Sequence, residues 1–422
     1  MFNSATQILG LIVAGAAGLV ILLFLLRHPE ITLALFLFSY VVEGGELVPG
    51  PLDLTAIFLL ISLAGFLLPA VKGKPIRFSL KPSDLWLFMF LMVLFGGSYL
   101  VPHPQEGVTK AALFTVAVFL PYVMARLFFK TYEQIRVFLI TILSLAVGIA
   151  VLLITMSMSP FYRGGRLQFL EANPIPTGTL LAVGLVIAAI GLISGSLKFG
   201  KSKAFHIAAI LLCLYGIFLS GVRGPLISAI VGLAFYFLIV VTHRPWVLAV
   251  VSVVTILLLV TFNYWYPHVP NIGGYSVHAI TQGLSIQERL ERYRVAAELF
   301  AENPLMGVGT DGYAQLTGLG YPHNIFLEVG SENGLIGLLV FVCFLGSITW
   351  YGLRWLIGST SLEPQPRAIG LTVLVVALTL LVEKQFSYGL TMHKDLFVFL
   401  GLVVNLPLIA RTAPHPKRST TQ

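Results

Sequence analysis

The chain has 422 residues, 57% of them hydrophobic and 10% charged, with a mean hydropathy of +0.92 and a formal net charge of +8 at pH 7. That much apolar surface exceeds what one soluble core can enclose, which excludes a soluble globule and leaves an all-α, polytopic integral membrane protein. The positive charge lies mostly in loops between apolar stretches. It therefore reads as a surface facing anionic membrane lipid, and it implies no nucleic-acid partner.

In chain order, apolar stretches of about 17 to 25 residues, the length that crosses hydrocarbon as a helix, lie near 5–26, 31–46, 53–71, 85–101, 108–129, 135–157, 175–195, 203–220, 224–242, 246–264, 324–352, 366–388 and 394–411. The second ends on Glu43 and Glu46, so the expected number of transmembrane helices is 12–13. Transmembrane helices thus occupy 1–263, a long polar loop 264–323, further transmembrane helices 324–411, and a tail 412–422. The N-terminus has no basic region ahead of the first stretch and no small-residue cleavage site follows it, so that stretch is expected to be a retained helix rather than a signal peptide. Cys213 and Cys343 each sit inside an apolar run and are expected to be small core residues.

Basic residues crowd alternate loops, as in "KGKPIRFSLKP", "RLFFKTYEQIR", "LKFGKSK" and the tail "RTAPHPKRS", which makes those loops cytoplasmic. The remaining cations oppose that signal and invite a functional reading. They include Arg163 and Arg166 in "FYRGGRLQFLEANP", Arg223 in "LSGVRGPL", and Arg289, Arg292 and Arg294 in "SIQERLERYRVAAELF". Arg223 occupies a very short turn between two spans, flanked by Gly221, Gly224 and Pro225. Its planar fork suits a phosphate group, and snorkelling to the interface is the plainer alternative.

The long loop carries an expected helix near 286–302, ended by Asn303 and Pro304. Arg292 has Glu288 four residues before it, and Arg294 has Glu291 and Glu298 at helical spacing, so both have ready partners on a solvated face. Arg289 has none at those spacings and shares a face with Tyr293, Ala296 and Phe300, which marks it as the ligand arginine. The "GVGTDG" that follows matches a dinucleotide glycine pattern only formally. No strand precedes it, and a tight turn is the expected reading. Next comes "PHNIFLEVGSENGLIG", in which His323 precedes an apolar helix whose first turns carry Glu328 and Glu332 on one face.

Taken together, the Ser-Gly-x-Arg-Gly turn, the helix "RLERYRVAAELFAENPLMGVGTDGY" and "HNIFLEVGSENGLIG" resemble the O-antigen ligase family, which shares a superfamily of membrane glycosyltransferases with the O-antigen polymerases. The resemblance covers about residues 220 to 340. It implies pyrophosphate-binding roles for Arg223 and Arg289 and a catalytic role for His323, with weaker matches at Arg166 and Lys110. Glu383 and Lys384 in "LVEKQFSYG" depart from the family pattern.

The resemblance further implies a bacterial inner-membrane enzyme whose long loop is periplasmic, moving a glycan from undecaprenyl pyrophosphate to lipid A core or another glycan acceptor. Direct displacement inverts the anomeric centre and needs no cofactor. Arg223 and Arg289 stabilise the leaving pyrophosphate, His323 acts as general base, and Glu328 or Glu332 orients the imidazole, binds sugar, or ion-pairs with arginines. No metal-ligand set stands out in the sequence. A transporter of the same lipid-linked glycan is the alternative class, and it predicts mid-bilayer charges and paired half-repeats.

Overall fold

A computed structural model describes residues 17–41, 53–73, 79–158, 174–195, 203–241 and 284–412. The expected span at 246–264, Arg163, Arg166 and the end of the tail lie outside these residues. Every regular element described is helical. The bundle begins with α1 (Ala17–Arg27) and α2 (Pro29–Phe38), bent by 103° where His28 precedes a proline. There follow α3 (Leu54–Val71), α4 (Pro82–Gly97), α5 (Pro104–Phe128), α6 (Tyr132–Ser157), α7 (Pro174–Ser194), α8 (Lys203–Ser220) and α9 (Arg223–Val241). The long loop contributes α10 (Leu284–Glu302) and the short α11 (Gly312–Thr317). The chain then returns through α12 (Ile325–Gly358), α13 (Pro364–Glu383) and α14 (Lys394–Thr412).

Among the described residues, seven helices are long and apolar enough to cross a membrane, or eight if the bent pair is one span. Described helices lie at most of the expected positions, but α14, at the expected span 394–411, is not among these seven, and α3 and α4 are apolar but shorter than a full crossing. Helix α7 is the most enclosed candidate span, with 83% of its apolar 18-residue stretch buried, and it packs against α6, α8, α9 and α13. Close approach explains its glycine: a Cβ at Gly184 would stand 2.3 Å from that of Ala146 on α6. Outward faces carry Leu339, Val342 and Trp350 exposed, as lipid-facing surface requires. Cys213 is buried against Gly184, and Cys343 is half-buried.

At one end of the bundle a polar pin ties three helices. Arg126, buried near the end of α5, donates Nε to Asp84 Oδ1 at 2.8 Å and Nη2 to Asp84 Oδ2 at 2.9 Å. Its remaining nitrogen donates to Asn405 Oδ1 on α14. Asn405 in turn donates to the carbonyls of Ala125 and Arg126 at 2.8 and 3.0 Å. Read from sequence as one of several loop cations, Arg126 is in fact a buried fastener.

Candidate active site

The opposite end of the bundle is built around a break in α12. Gly334 has φ 61° and ψ −158°, a conformation open essentially to glycine alone, and the helix is interrupted there. The N–H groups of Leu335 and Ile336, which a continuous helix would direct to Ser331 and Glu332, donate instead to the carbonyls of Pro304 and Leu305 at 2.8 and 3.2 Å. The carbonyls thus released on Ser331 and Glu332 accept from the N–H groups of Val308 and Gly309 at 2.9 and 2.8 Å. The "NPLMGVG" segment is therefore wedged into the helix, and these four freed backbone groups all find partners. Gly307 is required because a Cβ on it would lie 2.4 Å from the Glu332 carbonyl carbon. "GVGTDG" is the turn expected, and it also locks α12 to the long loop.

The break makes Ile325 to Asn333 a separate half-helix, capped by Asn324, whose Oδ1 accepts from the N–H groups of Phe326 and Leu327, each at 3.0 Å. Capping is thus done by Asn324 and leaves His323 available. His323 has φ 62°, in the left-handed region that non-glycine residues seldom occupy, and its Nδ1 is buried with no hydrogen-bond partner among the described residues. Its ring meets Tyr321 edge-on at 4.7 Å between centroids. Burial, and then the positive charges of Arg289 and Arg292, push the imidazole pKa down from 6.5 to about 4.

The three arginines of α10 divide differently from the sequence expectation. Arg294 is exposed and pairs with Glu291 at 2.5 Å and Glu298 at 2.6 Å, as expected. Arg292 does not pair with Glu288. Its Nη1 donates to the carbonyls of Leu319 and Tyr321, the latter at 3.2 Å, and so clamps the segment leading into His323. A local helix pattern cannot reveal a tertiary carbonyl as partner, which is why Glu288 looked sufficient. Arg289 is half-buried beside Tyr293 and the fully buried Ala296, and it makes no ion pair among the described residues.

Glu328 and Glu332 do face one direction, but their partner is Lys110 rather than an arginine or His323. Lys110 Nζ on α5 lies 2.7 Å from Glu328 Oε1 and 2.8 Å from Glu332 Oε1. Its charge is thereby balanced, which leaves it poorly suited to a pyrophosphate. Glu328 also accepts from the Leu390 N–H at 2.9 Å. Beside this ion group opens a pocket of about 340 Å³.

The segment 384–392 joins these parts, and sequence reading gave it no role. The Gln385 carbonyl accepts from Tyr293 Oη of α10 at 2.9 Å, and the Lys384 carbonyl accepts from the Ile325 N–H at 3.3 Å. Gly224, beside Arg223 in the turn that opens α9, packs against Phe386. One segment thus touches the elements carrying Arg223, Arg289 and His323. It is anchored by Lys384, whose Nζ lies 2.8 Å from Glu383 and 3.0 Å from Asp395, all three essentially excluded from solvent. The departure from family pattern at Glu383 and Lys384 is thus an internal ion group that fixes this segment. The one available signal was two adjacent opposite charges inside an apolar run, with Asp395 a short turn later.

With this geometry in view, comparison with known proteins finds that the model of one family, described as O-antigen ligase, matches residues 208–342. The match spans Arg223, α10, His323 and both glutamates, and it bears out the family resemblance. No curated protein matches the chain.

Proposed function

From the premise that residues 208–342 carry the O-antigen ligase domain, a membrane enzyme of the ligase and polymerase superfamily, we propose that the chain is a metal-independent inverting glycosyltransferase acting on the periplasmic face of the inner membrane. The donor is a glycan on undecaprenyl pyrophosphate, and the favoured acceptor is lipid A core. An acceptor hydroxyl attacks the anomeric carbon as the bond to the pyrophosphate oxygen breaks. His323 takes the hydroxyl proton, and the lipid pyrophosphate departs with the bonding electrons. Arg289 and Arg223 balance its growing charge, an effect that is strongest where water is excluded.

The observation that supports this reading is a half-buried His323 on a left-handed backbone, with a buried, unpartnered Nδ1 among the described residues and the charges of Arg289 and Arg292 acting on it. Beside Arg289 and Arg292 the free imidazole stays neutral and proton-accepting well below neutrality. A dianionic donor seated on the arginines offsets their field, raises the imidazole's basicity, and so prepares the base as substrate arrives.

The deciding experiment is transfer by purified protein in detergent with excess chelator. The donor is a synthetic polyprenyl-pyrophosphate glycan, and lipid A core and a second lipid-linked repeat are offered separately as acceptors. Product on lipid A core is the expected result, and product only on the second repeat makes the protein a polymerase. No product on either points to a different acceptor or to transport, which detergent cannot support.

A further inference from the structure

The pocket beside Lys110 differs in charge from the surroundings of His323. Tyr321 stands between them, its ring against the imidazole on one side and lining the pocket on the other. On the imidazole side the nearby charges are Arg289 and Arg292. On the pocket side three carboxylates line the cavity: Glu106 at the rim, Asp311 in the wall and Glu328 at the floor. Lys110 is the one cation among the described lining residues, and it is already held between Glu328 and Glu332. Thr109 and Thr391 add hydroxyls, and Gly389 lets the Tyr321 ring lie close, since a Cβ there would stand 3.2 Å from the ring.

About 340 Å³ falls within the range of roughly 300 to 1,000 Å³ typical of small-molecule sites, and the lining mixes donors, acceptors and one aromatic face, as saccharides require. Backbone strain gathers here as well. The three described non-glycine residues with positive φ are Asp311 in the pocket wall, His323, and Tyr388 next to Gly389. Such conformations persist only where the surroundings enforce them, and they cluster at functional sites.

We propose that this pocket seats the acceptor sugar, and that its carboxylates admit an uncharged or amine-bearing sugar while rejecting one with a carboxylate or phosphate. The proposal rests on the transferase reading for the word acceptor, and the division of charge supplies the direction. A leaving pyrophosphate belongs on the cationic side of the base. The hydroxyl that gives up its proton must approach from the other side, and that side is acidic. Like charges brought together in a partly desolvated site are strongly disfavoured, so the pocket selects by exclusion.

The test measures binding without donor, so it stands or falls separately from transfer. Purified full-length protein in detergent is titrated with the methyl glycosides of glucose, glucosamine and glucuronic acid, followed by saturation-transfer NMR. Glucose and glucosamine glycosides are expected to bind, with the glucuronide at least tenfold weaker. A Glu106→Gln, Asp311→Asn double variant, altered at an exposed rim and a half-buried wall, should narrow that gap below threefold. Thr391→Trp, which fills the cavity, should remove the glucose signal. Equal or tighter binding of the glucuronide, no binding of any glycoside, or a gap unchanged in the double variant overturns the proposal, even if transfer activity is intact. Should Thr391→Trp fail to fold, the double variant decides alone.

Discussion

The two ends of the bundle use buried charge in opposite ways. Around Arg126 all three guanidinium nitrogens donate, and Asp84 and Asn405 are both engaged. Around His323 the backbone is left-handed, Nδ1 has no partner among the described residues, α12 is broken, and a cavity opens beside paired charges. Both ends connect helices distant in sequence, and among the described residues each holds an unpartnered buried atom, but at the first it is Ser83 Oγ in a closed core, whereas at the second it is an imidazole nitrogen near a cavity. A saturated buried network fixes structure, whereas unspent capacity beside a cavity is what a substrate can complete.

The largest expected effect falls on the histidine end. His323→Ala should lower transfer by about 10² to 10⁴, the usual worth of a general base, while donor binding measured by equilibrium dialysis persists. Wild-type turnover in that variant would remove His323 from the mechanism.

Charge removal next separates the two ends. Arg126→Met strands Asp84 and Lys384→Met strands Glu383 and Asp395, and each should cost about 3 to 5 kcal/mol of stability in detergent melts. Corrected for folded fraction, Arg126→Met should keep its turnover. Lys384→Met should lose turnover as well, because segment 384–392 then no longer holds Ile325, Tyr293 and Glu328 in place. Equal retention by both would reduce the Lys384 group to a second fastener.

A smaller loss is expected from Arg292→Ala. Hydrogen bonds from a charged group are worth about 1.5 to 3 kcal/mol, so freeing the segment before His323 should cut transfer roughly 10- to 100-fold. The exposed Arg294→Ala should change transfer little. Similar losses in the two variants would show that the clamp on Leu319 and Tyr321 does not matter.

The mildest test varies pH alone. Because burial and neighbouring arginines lower the His323 pKa to about 4, its proton-accepting form persists as pH falls and disappears only through that value. The acid limb of kcat/KM, which reports the free enzyme, should therefore lie near pH 4, and that of kcat, with donor bound, should move upward. A limb near 6.5 in kcat/KM would mean that neither burial nor the arginines shift this imidazole.

How much of this was legible beforehand differs by residue. The α10 helix, the Arg294 pairs and the shared face of Glu328 and Glu332 follow from spacing along one helix, and the structure reproduces them. The partner of those glutamates was not legible, since Lys110 is more than two hundred residues away. Nor was the partner of Arg292, a carbonyl that exists as an acceptor only once the loop is folded. The roles of Glu383, Lys384 and the 384–392 segment were hidden for the same reason.

The sequence by itself determined the class of protein: hydropathy dictates helices in lipid and helical periodicity dictates faces, both through interactions within a few residues. Tertiary structure alone decided which charges meet, because burying an ion in a membrane protein demands a counter-ion from whichever helix packs alongside. It also decided that α12 breaks at Gly334. The four backbone groups exposed there are affordable only because the "NPLMGVG" segment arrives to satisfy them.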